Sequence, residues 1–126
     1  MKFKTLMIIK AIVCLGFAPL LLFFPAFLLG LLGATFDPGA AFTARIYGAS
    51  LFGNLMLTWF ARNAEDSPAR RAIVLDLLVY DAIGFLATLY VLLSGGLNLL
   101  GWGIAAIYLF FAIGFGYFWL PQQKAT

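Results

Sequence analysis

AIVLDLLVYDAIGFLATLYVLL, residues 72–93, is an apolar run interrupted by only two charges, Asp76 and Asp81. A bilayer core about 30 Å thick takes roughly 20 helical residues to cross, so this run has the length of one membrane span. A barrel wall would alternate apolar and polar residues, and no such alternation is present. Three neighbouring stretches have the same character: about 97–120 on one side, about 41–61 on the other, and about 6–33 at the start. The connections are short, so consecutive helices are expected to be antiparallel neighbours. The expected fold is all-α, a single membrane-spanning antiparallel four-helix bundle over residues 1–126.

Composition points the same way. Of 126 residues, 64% are hydrophobic and 10% charged, against about 45–50% apolar and about 25% charged in a soluble domain. One cysteine excludes an internal disulfide framework. The apolar content excludes intrinsic disorder, and a scattered net charge of +3 makes a poor nucleic-acid surface. There is no histidine, which disfavours haem and most zinc or copper sites. No cofactor or metal is expected, although the apolar surfaces are compatible with bound lipid or pigment.

Lysine and arginine placement sets the expected orientation. Lys2 and Lys4 precede the first span, Arg62, Arg70 and Arg71 flank the second connection, and Lys124 follows the fourth span. An even number of spans puts them all on one side, leaving only Arg45 on the other. Both termini are therefore expected in the cytoplasm, with Trp59 and Trp119 at that interface and Trp102 at the outer one. Arg45 is expected to pair with Asp37 or a lipid phosphate. Ser67 can cap a helix beginning at Pro68. A cleaved signal peptide fits poorly, because Lys10 interrupts the first run and no small-residue cleavage site follows. Ala11-Ile12-Val13-Cys14 lacks the small residue a lipoprotein signal needs, and Cys14 reads as a buried small apolar residue.

The first span is irregular. Unbroken from residue 6 to 33 it would be roughly 42 Å long, and Pro19 and Pro25 each remove a backbone donor. The expectation is a kink at Pro19 and a change of direction at Pro25. The alternative is a break near Pro25 that leaves 26–32 as a short helix. Residues 35–39, with Asp37-Pro38-Gly39, form the outer turn. No internal repeat is evident.

Charges inside spans are the first functional candidates. Lys10 and Asp76 lie at similar depth and make a candidate ion pair; equally, Lys10 can snorkel on its long stem. Asp81 lies near the midplane and is too short to snorkel, with Val74, Leu77, Gly84 and Thr88 on its face. Tyr47, Ser50, Asn54 and Thr58 form a polar stripe on the second span. Ser50, Asn54, Asp81 and Tyr108 are thus a candidate midplane cluster, either a proton-carrying or binding site or plain interhelical glue.

Small residues suggest packing faces. Gly101, Ala105, Ala112 and Gly116 line one side of the last helix, and Ala49 and Gly53 lie beside Ala41, Ala44 and Gly48 on the second. Phe110, Phe111, Phe115 and Phe118 take up much of the remaining surface of the last helix and are expected against lipid, with a neighbouring protein or a planar hydrophobic ligand as the alternatives.

RRAIVLDLLVYDAIGFLATL, SGGLNLLGW and IYLFFAIGFGYF within 70–119, and more loosely RIYGASLFGNLMLTWFAR at 45–62, resemble a group of small four-helix bacterial membrane proteins of unassigned function. The resemblance covers about two-thirds of the chain. It implies four spans and a bacterial inner membrane, and it brings no catalytic residue. Small multidrug exporters, small fluoride channels and quinone-linked thiol oxidoreductases fit poorly, lacking here an acid in the first helix, a threonine-rich break and a CxxC pair respectively. The leading expectation is a non-enzymatic bundle acting by association, as an accessory subunit of a larger membrane complex or a homo-oligomer. The alternative is a small transporter or channel centred on Asp81. An enzyme ranks third, since no nucleophile–base pair is visible.

Overall fold

Prolines and capping side chains set most of the helix starts. In the computed structural model, which describes residues 2–120, the elements are α1 (Phe3–Phe23), α2 (Pro25–Leu31), α3 (Pro38–Phe60), α4 (Pro68–Leu93) and α5 (Gly101–Trp119). There is no strand among the described residues. Pro25, Pro38 and Pro68 each open a helix, where a missing N–H costs nothing because it would have no partner in the helix. The Asp37 carboxylate accepts from the Ala40 N–H at 2.7 Å, and the Ser67 hydroxyl accepts from the Arg70 N–H at 3.1 Å. Both satisfy donors that a helix start leaves open. Past α4 the chain turns through Gly95 at φ +82, a conformation that glycine adopts without penalty.

The first apolar stretch is two helices. Pro19 lies inside a continuous α1, and the break falls at Phe24, with φ −132 and ψ 54. The residue before a proline is pushed out of the α region, and Pro25 has no N–H to offer the preceding turn. The change of direction expected at Pro25 is therefore a break. It leaves carbonyls open at the end of α1, and Arg45 Nε donates to one of them, Leu22 O, at 3.2 Å. Arg45 thus serves the end of α1, while the Asp37 side chain is taken up by its own helix cap.

α1 packs along α3, and α4 packs along α5, with α1 and α5 joining the two pairs. α1 and α3 touch nearly backbone to backbone at Gly48, where an added Cβ would lie 2.8 Å from Leu22 N and 3.0 Å from Ala18 O. One buried cluster holds Phe3, Leu6, Met7, Val74, Leu77, Phe111 and Phe115; a second holds Cys14, Ala18, Leu21, Leu28, Ala44 and Leu51. Phe111 and Phe115, expected against lipid, are therefore core residues.

Hydrogen bonds define the two ends. At one end Arg71 donates to Trp119 O at 2.9 Å, Arg70 covers the Phe3 ring and Arg62 covers Trp59. Lys2 and Lys4 are at this end also, whereas Lys124 lies outside the described residues. At the other end Asn98 ties the α4–α5 loop to α2, its N–H donating to Leu32 O at 2.7 Å and its Nδ2 to Leu31 O at 2.8 Å.

α1, α4 and α5 are long and apolar enough to cross a membrane. α3 is long enough at 23 residues, but Arg45, Asn54 and its hydroxyl and glycine residues lower its apolarity. Phe42, Phe60, Tyr90, Leu93 and Leu99 are exposed on the outside. Apolar helices with an apolar exterior mark a membrane protein.

Candidate functional site

Between the two core clusters lies the polar centre of the protein. α1 supplies Lys10, α3 Tyr47, α4 Tyr80 and Asp81, and α5 Tyr108. Lys10 Nζ donates to Asp81 Oδ1 at 2.6 Å, and the two residues are 3% and 0% exposed. The ammonium also sits 4.8 Å from the centre of the Tyr80 ring and 4.6 Å from that of Phe111. Aromatic faces attract a desolvated cation, so its charge is engaged on several sides. The other carboxylate oxygen, Asp81 Oδ2, is buried and has no hydrogen-bond partner among the described residues.

Beside the ion pair, three tyrosine hydroxyls form a chain. Tyr80 donates to the Tyr47 hydroxyl at 2.6 Å, and Tyr47 shares a hydrogen bond with Tyr108. Gly84 makes the arrangement fit, because a Cβ at that position would collide with the Tyr108 ring.

These groups line a cavity of about 400 Å³. Its walls are otherwise mainly apolar: Val13, Phe17 and Leu21 from α1, Leu28 and Leu29 from α2 with Leu32 just past its end, Ala44 and Leu51 from α3, and Ile104 and Ile107 from α5. A pocket of roughly 300–1,000 Å³, mainly apolar with a few convergent polar groups, is the usual form of a small-molecule site. α2 exists as a separate wall of this cavity because the chain breaks at Phe24.

The expected pair and the expected cluster are both rearranged. The partner of Lys10 is Asp81. Asp76 is exposed; five residues before Asp81, it lies about 140° around the helix from it. In the candidate set Ser50, Asn54, Asp81 and Tyr108, only the last two line the cavity. Ser50 is exposed, and Asn54 is half-buried with its backbone carbonyl accepting from Thr58 Oγ1 at 2.8 Å. The inward face of α3 runs through Ala44, Gly48, Leu51 and Thr58. Ser50 and Asn54 each precede an inward or half-inward leucine by one position and are rotated from it by about 100°.

The packing faces also divide. On α5, Gly101 and Ala105 are buried, Ala112 is half-buried, and a Cβ on Gly116 would lie 3.7 Å from Leu78 Cδ1 of α4. On α3, Ala49 is exposed, and an added Cβ at Gly53 meets nothing within 4 Å. The close approach there uses Gly48, on the other side of the helix.

Tyr80 was not among the expected site residues. Its signal lies in position: of five tyrosines, Tyr90 and Tyr117 lie near helix ends, where interfacial aromatics belong. Tyr47, Tyr80 and Tyr108 lie within spans, where a hydroxyl needs a partner. Cys14 also lines the cavity and is a free thiol.

Among the described residues, no group of three or more acidic, cysteine or histidine side chains is placed to hold a metal ion. The arrangement can bind: it offers a charge-compensated polar patch at one end of an apolar hollow. No family model, curated protein or solved structure matches this chain, so the site rests on its own geometry.

Proposed function

We propose that this chain is a membrane-embedded binding protein that holds a small amphipathic molecule among its helices. The carrying observation is the cavity of about 400 Å³, with the Lys10–Asp81 pair and three tyrosine hydroxyls on walls that are otherwise mainly apolar. In this reading α3 is a fourth span, completing an antiparallel bundle of four long helices. Its polar residues are tolerable because α1 covers part of its length. Both termini face the cytoplasm of a bacterium, in keeping with the basic residues gathered at one end.

A second reading is association with another membrane protein, as an accessory subunit or in a homo-oligomer. Ala49 and Gly53 favour it, since they leave a flat stripe on the outside of α3 with nothing packed over Gly53. Small residues of this kind let helices approach in lipid.

Purification from the native membrane in mild detergent, followed by solvent extraction and mass spectrometry, separates the readings. The binding reading expects one amphipathic small molecule at close to one per chain, lost when Ala44→Leu fills the cavity. A stoichiometric protein partner without a small molecule would favour association. A bare monomer would overturn both.

A further inference from the structure

The hydrogen-bond inventory at the polar end of the cavity specifies what a head group must offer. The three tyrosine hydroxyls carry three donors, and two bonds link them. Whichever way the Tyr47–Tyr108 bond runs, one O–H is left over, on Tyr108 or on Tyr47, and both residues line the cavity. Asp81 presents the opposite need. Its Oδ1 takes the Lys10 ammonium, and its buried Oδ2 accepts nothing among the described residues. Between the tyrosine hydroxyls and the carboxylate, one donor and one acceptor are therefore spare, while the rest of the Lys10 ammonium lies over the Tyr80 and Phe111 rings.

Charge narrows the choice. Lys10 and Asp81 compensate each other, and the ammonium is further held by the Tyr80 and Phe111 rings. A carboxylate or ammonium head would bring an uncompensated charge into a buried, largely apolar space. A ketone, quinone or ether accepts a hydrogen bond but gives none, which leaves Oδ2 unpaired. A hydroxyl is the smallest neutral group that both donates and accepts.

Resting on the binding reading above, we infer that the ligand is an uncharged long-chain alcohol or phenol. Its O–H donates to Asp81 Oδ2, its oxygen accepts the spare tyrosine proton, and its hydrocarbon lies along the apolar wall toward Leu28 and Leu32.

The test is calorimetric titration of the full chain in lipid nanodiscs, with empty nanodiscs subtracted. The probes are decanol, decyl methyl ether and decanoate. Decanol is expected to bind once per chain, about tenfold or more tighter than either of the others, since each loses a buried hydrogen bond or adds a charge. In Lys10→Met/Asp81→Leu, which removes the acceptor and the ion pair together, the preference for alcohol over ether should shrink to about twofold. If alcohol and ether bind equally well to the natural chain, with Oδ2 served by water, the head-group inference is overturned while the binding reading stands. Tightest binding by decanoate overturns the inference as well. If no probe binds, the binding reading itself is overturned.

Discussion

Lys10 and Asp81 are tolerable in an apolar interior only as a pair. Removing an ion from water costs several kcal/mol even after relaxation, and a partner offsets this only with good geometry. Here the bond is 2.6 Å, with aromatic faces around the ammonium. Lys10→Met, which strands the carboxylate, should destabilise the protein by about 3–5 kcal/mol, whereas Lys10→Met/Asp81→Leu should recover most of that loss. Denaturant titration of both variants in the same micelle measures the difference. A double variant as unstable as the single one would show that the pair is not what the single change disrupts. Much of this centre was readable in advance. Asp81 stood out as too deep and too short to snorkel, and its face-mates Val74 and Leu77 are 2% and 0% exposed. Its partner is not legible in the sequence, because residue position gives the depth of the backbone, while a lysine carries its charge at the end of a four-carbon stem. Asp76 matched Lys10 in depth but faces outward. Depth without rotation does not identify a contact.

Among the helices, α3 illustrates what small residues leave ambiguous. Ala44 and Gly48 lie on one side and Ala49 and Gly53 on the other, and either stripe has the composition of a packing face. In the structure α1 takes the first stripe, with Ala18 and Leu22 against Gly48 and Arg45 reaching Leu22 O beside the break at Phe24. That break was legible as an alternative, since Phe24 precedes a proline, but nothing local separates Pro25 from Pro19, which α1 absorbs. The two α3 stripes should respond differently to one added methyl group. Gly48→Ala places a Cβ against two backbone atoms of α1, neither of which can swing aside. It should cost about 1–3 kcal/mol, as overpacking does. Gly53→Ala enters open space and should be neutral or stabilising by up to about 1 kcal/mol, through helix propensity. Thermal unfolding of the two variants in one detergent gives the comparison; equal effects would contradict the packing of α3 on α1.

Taken as a whole, the protein inverts the soluble pattern, with most of its charges at the ends and centre and many of its large apolar side chains outside. That arrangement was evident from the composition and from the placement of lysine and arginine. The cavity was not, because its walls come from all five helices and no short stretch of sequence encodes a hollow between them. Lys2, Lys4, Arg62, Arg70 and Arg71 share one end, and Arg45 lies toward the other, where Asn98 fastens the α4–α5 loop onto α2. α3 is the element at issue, since it falls short of the apolarity of α1, α4 and α5. If α3 spans the membrane, its two flanking turns lie on opposite sides. In a Cys14→Ser background, Ser67→Cys should react with a membrane-impermeant maleimide only from the cytoplasmic face, in inside-out vesicles. Thr35→Cys and Ser94→Cys should react only from the outer face, in intact cells. Labelling of Thr35→Cys and Ser67→Cys from the same face would mean that α3 does not cross. The tyrosine chain would then lose Tyr47 as a residue within the bilayer, and the proposed cavity would lose its α3 wall.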